Sequence, residues 1–321
     1  MALGEFELIE RFFKRPVRRS PLGIGDDCAL LAPRAGHQLA VSTDLLVEGR
    51  HFLSTVLPER LGHKALAVNL SDLAACGAQP LAFTLSLALP AVDEDWLADF
   101  ARGLLALADE HACELVGGDT TRGPLCIGIT VFGEVPQGLA LLRSGARAGD
   151  DLWVSGTLGE ARLALEVFRG TRAVPQQVFG HARARLEEPQ PRVALGMALR
   201  GIATAAIDVS DGLLGDLAHV LQRSGVGARV DAGVAATLFG VREQMSLEPN
   251  EVLDLVLAGG DDYELAFTAP AAARADVLDA ASAARTRVTR IGAIEAEAGM
   301  RVVDAQGVPV RRTFAGFDHF R

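Results

Sequence analysis

The sequence predicts a two-domain protein of the α/β or α+β class. Three observations point there. The chain is 321 residues long, enough for roughly two domains that each bury a core. Stretches of strand and helix periodicity alternate through both halves. Composition changes at Arg143–Asp151, a polar, glycine-bearing junction that separates residues 1–145 from residues 146–321.

In the first half, residues 5–14 carry Phe6, Ile9, Phe12 and Phe13 at helical spacing and predict a short amphipathic helix. Leu22–Leu31 reads as a glycine-rich turn running into a strand. Leu39–Thr43 is a second strand, closing on Asp44. Lys64–Pro80 follows, apolar nearly all the way round, with Leu66, Val68, Leu70, Leu73 and Ala74 leaving no solvated face. That pattern predicts a buried helix ended by Gly77 and Pro80. Leu81–Leu89 is an apolar strand, and Asp93–His111 a helix with Trp96, Leu97, Phe100, Leu104 and Leu107 on one face. A short strand, Cys113–Val116, ends in the glycine-rich run Gly117–Gly123. Leu125–Val135 is a strand leading to the Pro136/Gly138 turn.

In the second half, Asp151–Ser155 predicts a strand and Gly159–Arg169 a helix. Pro189 and Pro191 open another helix, and Ala203–Val209 is a strand. Ser210 is placed to cap a helix over Asp211–Arg223 that stops at Gly225. Val252–Leu257 leads into Gly259–Glu264, followed by a strand at Leu265–Thr268 and a helix over Ala271–Ala284. The tail, with Val302–Val303 and Val308–Val310, predicts a small hairpin ending in Phe314 and Phe317. No short-period repeat is present.

Composition removes several classes of function. A formal net charge of −10 argues against a nucleic-acid partner, because phosphate backbones call for a basic surface. The one basic run, Arg11–Arg19, reads either as a solvated helix end or as a steering surface for anions. No apolar run approaches the ~20 residues needed to span a bilayer. Glu5, Glu7 and Glu10 argue against a signal or transit peptide. Cys28, Cys76, Cys113 and Cys126 form no CxxC pair, have mostly apolar neighbours and read as reduced, buried thiols of a cytoplasmic protein.

Asp72 is the anomaly of the buried helix. An isolated carboxylate inside a core shifts its pKa, pairs with a partner or binds a metal. Two readings stand: an Asp bonded to a nearby amide or to Lys64, or a carboxylate presented to cations. Similar acids recur beside glycine or a hydroxyl at strand ends: Asp26 and Asp27, Asp44, Asp119, Asp208 and Asp211, Asp261 and Asp262. Each alone is an ordinary turn or cap. Together, as hard oxygen donors, they suit Mg²⁺, which takes one or two carboxylates, keeps waters and bridges phosphates. The chain has no GxxxxGK[ST], no completed GxGxxG after Gly23 and Gly25, no kinase signature set, no GxSxG and no HExxH. With few basic residues near the glycine turns (Lys64, Arg122, Arg143), a phosphate site here would need metal ions to neutralise charge.

Several segments carry a resemblance. Gly23–Leu31, Ser42-Thr43-Asp44 with His51-Phe52, Lys64–Ala75, Gly117–Gly123, Ile207–Gly212 and Gly259–Leu265 resemble the thiamine-monophosphate kinase family, within the aminoimidazole-ribonucleotide synthetase-like ATP-binding proteins. The match runs in order along nearly the whole chain. It implies an N-terminal ATP- and Mg-binding domain with a mixed sheet and a C-terminal α/β domain that completes the ATP and substrate site. It also implies ATP in a cleft, a homodimer built through the N-terminal domains, and phosphorylation of thiamine monophosphate to thiamine diphosphate. By the same resemblance, Asp27, Ser42, Thr43, Asp44, Asp72, Asp119, Asp208 and Asp211 correspond to magnesium positions, with Asp72, Asp119 and Asp208 carrying catalysis. Gly118, Asp119, Arg143 and Ser210 correspond to ATP-contacting positions, and His51, Asp261 and Phe314 to substrate-contacting ones. Two positions depart from the family's usual residues: Asp261 stands where Glu is general, and Phe314 where Trp is.

Related families fit less well. Selenophosphate synthetases need a reactive Cys ahead of the Gly-Asp-Asp segment, whereas Cys28 follows it. Hydrogenase-maturation relatives end in a cysteine, and this chain reads Asp318-His-Phe-Arg321. Aminoimidazole-ribonucleotide synthetase itself matches Ser42–Asp44 and Gly117–Gly123 less closely. A Mg-nucleotide-binding regulator without turnover would have no need of His51 and Phe314.

Overall fold

In the computed structural model, residues 3–310, 312 and 314 are described. The chain divides into two compact units, Met1–Leu73 with Ala78–Gly138, and Ala74–Gly77 with Leu139–Arg321. The break between 138 and 139 lies ahead of the predicted boundary at 145/146.

The first unit begins with a short helix, α1 (Glu5–Leu8), which continues as a π turn over Ile9–Phe13. Its sheet is made of β1 (His37–Val47), β2 (Gln79–Leu89), β3 (Glu114–Arg122) and β4 (Cys126–Pro136). The order is β1-β4-β2-β3; β4 runs antiparallel to both neighbours, and β2 and β3 are parallel. The apolar stretch noted above is α2 (Pro58–Ala75), starting six residues before Lys64. Leu61, Leu66, Leu70 and Leu73 are at most 1% exposed, which is why this helix shows no amphipathic stripe. The second helix, α3 (Glu94–Glu110), starts where Asp93 accepts from the amides of Asp95 and Trp96, as a side-chain cap does. Its Leu97, Phe100, Leu104 and Leu107 are buried, and Trp96 stacks on Phe100 with ring centroids 5.0 Å apart.

Two predictions fail here for stated reasons. Residues 22–31 form no strand; they carry only isolated bridges, Leu22 to Leu30 and Ile24 to Asp26. This segment is pinned at its ends instead. Glu114 accepts from the backbone N–H groups of Arg18, Arg19 and Ser20. Buried Glu134 accepts from the Arg19 guanidinium at 2.7 Å and from Arg34 through both its N–H (2.8 Å) and Nε (2.7 Å). Conversely, Gly117–Arg122 is not a loop. Parallel pairing with β2 carries β3 straight through it, so partner-strand hydrogen bonding overrides the low strand preference of glycine.

The second unit holds a six-stranded sheet ordered β10-β7-β9-β5-β8-β6, from β5 (Asp150–Ser155), β6 (Ala205–Val209), β7 (Gly227–Asp231), β8 (Glu264–Pro270), β9 (Val288–Glu295) and β10 (Gly299–Val303). Only the β10–β7 pair is parallel. Among the described residues, seven α-helices accompany it: α4 (Glu160–Phe168), α5 (Gln176–Glu187), α6 (Val193–Ala198), α7 (Leu213–Ser224), α8 (Ala232–Ala235), α9 (Pro249–Ala258) and α10 (Arg274–Ala283). The core cluster of this unit takes side chains from the sheet and from α4, α5, α7 and α9, including Leu152, Val154, Leu163, Leu217, Val256 and Ile291.

α5 was not predicted. The helix expected at Pro189 begins instead at Val193, after Arg192. α7 starts at Leu213 rather than Asp211, with Gly212 at its N-cap and no side-chain cap, so Ser210 does not cap it; Gly225 ends it in the left-handed conformation as expected. The tail hairpin is reduced to a single bridge, Val303 to Pro309, with Val310 N–H donating to Val302 O at 2.8 Å. Phe317 lies outside the described residues.

Candidate active site

Strand alternation sorts the predicted residues of the first unit. On β1, Ser42 and Asp44 share the side of buried Leu46, and Thr43 points the other way. The Thr43 hydroxyl donates to the Ile129 carbonyl at 3.0 Å and accepts from Thr130 Oγ1 at 3.1 Å. Thr43 therefore offers its backbone, not its side chain, to anything that Ser42 and Asp44 bind.

The α2 helix brings Asp72 to this face, where Ser42 Oγ donates to Asp72 Oδ2 at 2.5 Å. Asp44 is raised from 3.8 to about 6, first by burial and then by the negative charge of Asp72. The structural reading of Asp72 thus finds a partner in the Ser42 hydroxyl, and the nearby Asp44 leaves two carboxylates repelling one another. Among the described residues no group of three or more His, Cys, Asp and Glu is gathered as a metal cage. A carboxylate pair with a hydroxyl is what Mg²⁺ uses when substrate phosphates and water complete its shell.

Asp119 is exposed on β3. The ladder places it in the row of Ser86, Gly128 and Leu45, next to the row that holds Gly118, Leu85, Ile129 and Asp44. Gly118 has φ +145°, and a Cβ there would stand 1.8 Å from the Leu85 carbonyl oxygen, so only glycine fits. Asp27 is exposed in the pinned segment and its N–H donates to Asp26 Oδ1 at 2.9 Å. His51 Nδ1 accepts from Val47 N–H at 3.0 Å, which puts the proton of the neutral ring on Nε2, an atom suited to donate to a phosphate oxygen.

In the second unit, buried Asp208 on β6 pairs with Leu265 in the ladder. The turn after it is ordered by Asp216, whose Oδ2 accepts from Ser210 N–H at 3.0 Å and Asp211 N–H at 3.1 Å. Burial, with Asp211's charge adding to it, lifts Asp216 to about 7 against those two donors and the Arg143 guanidinium. Asp261 and Tyr263 join the same turn: Asp261 N–H donates to Ser210 O and Tyr263 N–H to Val209 O, each at 2.8 Å. The Ser210, Asp211 and Asp261 backbones are thereby one hydrogen-bonded assembly. Exposed Arg143 stays on the loop before β5, its carbonyl accepting from Ser224 Oγ at 3.2 Å. Phe314 is half-buried and packs against the core cluster of this unit.

Sequence reasoning missed Asp216, Glu264 and Glu160 as parts of the site's support, and it grouped Asp262 with the outward oxygen donors, whereas its carboxyl is buried on Gly159 N–H. The signal was present but thin: Asp216 stands in the first turn of α7, where an acid faces orphan amides. Asp262 and Glu264 alternate with site residues in one short segment.

Two family models match the chain: AIR synthase related protein, N-terminal domain, over residues 25–135, and AIR synthase related protein, C-terminal domain, over residues 147–305. The thiamine-monophosphate kinase of Salmonella typhimurium is 45% identical, over 100% of this chain and 99% of that protein. The crystal structure of thiamine-monophosphate kinase from Stenotrophomonas maltophilia K279a superposes with a TM-score of 0.85 at 46% identity, covering 97% of this chain and 99% of that one. A structure of AaThiL complexed with AMPPCP and TMP superposes with a TM-score of 0.75 at 30% identity, over 90% of this chain and 89% of that one. The chain accordingly belongs to the thiamine-monophosphate kinase family, assembled from the two AIR synthase related domains.

Proposed function

We propose that the protein transfers the γ-phosphoryl group of ATP to thiamine monophosphate, forming thiamine diphosphate, directly and with Mg²⁺. The observation that carries this reading is 45% identity, end to end, with a thiamine-monophosphate kinase. The AaThiL complex with AMPPCP and TMP supports the substrate pair, since AMPPCP is an ATP analogue with a methylene bridge between its β and γ phosphorus atoms.

The chemistry asks little covalent work of the protein. ATP and a phosphate monoester are both polyanions, and each like-charge pair at 4 Å costs about 1 kcal/mol in water and about 4 at an effective dielectric of 20. Bound magnesium supplies the positive charge that offsets this repulsion and the charge that develops during transfer. Asp44 and Asp72, with Ser42, are the group whose present geometry best fits that ion, because their mutual repulsion falls when a cation is shared. Asp27, Asp119, Asp208, Asp211 and the Thr43 backbone complete the proposed metal-binding set. Gly118 and Ser210 offer backbone close to the nucleotide and Arg143 its charge, while His51, Asp261 and Phe314 face thiamine monophosphate. Its phosphate oxygen is already an anion, so no general base is needed; positioning the two phosphates in line supplies the rate.

The protein works as a homodimer in this reading. Leu39, Val41, Leu45 and Val47 are 36% to 58% exposed along one face of β1, a row of apolar side chains that a second copy would cover. No helix among the described residues is long and apolar enough to cross a membrane. Of the four free cysteines only Cys113 is buried, against the expectation that all are; work in the reducing cytoplasm belongs to the same reading, and a net charge of −10 favours small molecules over nucleic acid. The test is ATP consumption with and without thiamine monophosphate, with thiamine diphosphate measured as its fluorescent oxidation product. Equal consumption in both arms would refute the assignment.

A further inference from the structure

The segment Gly259–Glu264 holds two non-glycine residues in the left-handed region, Asp261 at φ +64° and Tyr263 at φ +52°. Such conformations persist only where the surroundings over-determine them. Between the two lies Asp262, 1% exposed, while Asp261 and Tyr263 are half-buried. The inward carboxyl is seated on one donor: the Gly159 N–H lies 3.0 and 3.1 Å from its two oxygens. Gly159 is the N-cap of α4, so the carboxyl meets the positive end of that helix.

Around this seat lies a buried polar cluster. Glu264, fully buried, accepts from Ser155 Oγ at 2.6 Å, from Arg185 at 2.8 Å and from Arg192 Nε at 2.6 Å, and Ser155 Oγ accepts from Leu265 N–H at 2.8 Å. Glu160, also fully buried, accepts from Gly240 N–H at 2.7 Å. A second set of bonds lies on the other side of the turn, where the Asp261 and Tyr263 amides are held by Ser210 O and Val209 O. The turn is therefore gripped from both sides, and Asp262 is the grip on the α4 side. Tyr263 OH approaches Asp261 Oδ1 at 3.4 Å on the outer side.

We propose that Asp262 is a positioning residue for the phosphate acceptor: its carboxyl, seated on Gly159, holds Asp261 and Tyr263 left-handed and so turns the Asp261 carboxyl outward beside Ser210 and Asp211. The two adjacent acids thus divide the labour, one facing the ligand and one facing the core. This rests on the reading above that Asp261 contacts thiamine monophosphate. What the seat requires is an acceptor atom, so Asp262→Asn, with its amide oxygen, preserves the arrangement and Asp262→Ala does not.

Hydrogen exchange and kinetics on the full-length protein test it together. In Asp262→Ala the amides of Asp261 and Tyr263 should exchange at least ~10-fold faster than in the parent, by local opening of the turn. In Asp262→Asn they should stay within about threefold of the parent. The KM for thiamine monophosphate should rise at least ~5-fold in Asp262→Ala, that for ATP should stay within about twofold, and Asp262→Asn should restore both. Unchanged exchange in folded Asp262→Ala overturns the proposal. Faster exchange with equal rises in both KM values overturns the acceptor role and makes the carboxyl a general fold anchor. If Asp262→Ala does not fold, Asp262→Ser, whose hydroxyl is too short for the seat, takes its place with the same expectations. A parent protein that ignores thiamine monophosphate would refute the functional assignment, and the exchange comparison would still decide whether Asp262 holds the turn.

Discussion

Ser42 donates its hydroxyl to Asp72 Oδ2 at 2.5 Å, a bond that ties the middle of β1 to the buried helix α2. After burial, the same carboxylate raises the pKa of Asp44 further by its charge, so the two acids form one negatively charged locus on this face. Asp72→Asn keeps the shape and removes the charge, and should lower turnover at least ~10²-fold, the scale of losing one preorganised charge-stabilising group. The fold should survive, as judged by circular dichroism. Near-normal turnover at saturating Mg²⁺ would return Asp72 to a purely structural role.

Asp44 gives a pH signature. Burial and the charge of Asp72 raise its pKa from 3.8 to about 6, so between those values the folded protein holds a proton that the unfolded chain has released. Stability without metal therefore falls as pH rises from 3.8 through about 6, and the full cost is present above that. Asp44→Asn should stabilise the metal-free protein by on the order of 1–3 kcal/mol near pH 8 and by little near pH 4. Added Mg²⁺ should raise the unfolding midpoint of the parent more than that of the variant. Equal midpoints at both pH values would contradict the repulsion.

The apolar row on β1 predicts assembly. Val41→Asp with Leu45→Asp places two charges on exposed positions, 58% and 57% accessible, and should leave the monomer folded while abolishing the dimer in sedimentation velocity. A parent that sediments as a monomer at micromolar concentration would refute the interface.

Phe314 is half-buried on the C-terminal core cluster, so its truncation has two effects to separate. Phe314→Ala should lower the unfolding midpoint and also raise the KM for thiamine monophosphate more than that for ATP. Parallel KM changes would leave only the packing role.

Transfer should proceed without a phosphorylated protein. Covalent routes need an activated nucleophile, and the acids nearest the chemistry are better used on metal. Protein mixed with γ-labelled ATP and Mg²⁺, without acceptor, should carry no stable label. Stoichiometric labelling at a rate matching turnover would replace the in-line route with a two-step one.

What the sequence made legible was local. The all-round apolar pattern of Lys64–Ala75 named α2 and exposed Asp72 as its anomaly, and Asp93 and Gly225 marked helix ends where the structure has them. What stayed hidden was set by partners distant in the chain. Gly117–Arg122 is a strand because β2 lies beside it, and Thr43 is turned from Asp44 because β1 runs on to Val47 rather than closing at Asp44. Asp216 reads in sequence like any surface acid, and Asp262 reads as one more outward oxygen donor; only burial and the amides of Ser210, Asp211 and Gly159 distinguish them. The helix Gln176–Glu187 escaped notice because Gly180 and its many polar residues blur the apolar face.

The pinning of the segment that carries Asp27 bears on how this chain can vary. Between Ser20 and Arg34 the backbone makes little regular structure, so each doubling of its length would cost only about 0.6 kcal/mol in closure entropy. At its ends, Glu114 and buried Glu134 hold three consecutive amides and two arginines, and losing Glu114 leaves the amide of buried Ser20 without its acceptor. Insertions and deletions belong inside this stretch, while buried Glu134 and the arginines that cover it, Arg19 and Arg34, are tied to one another.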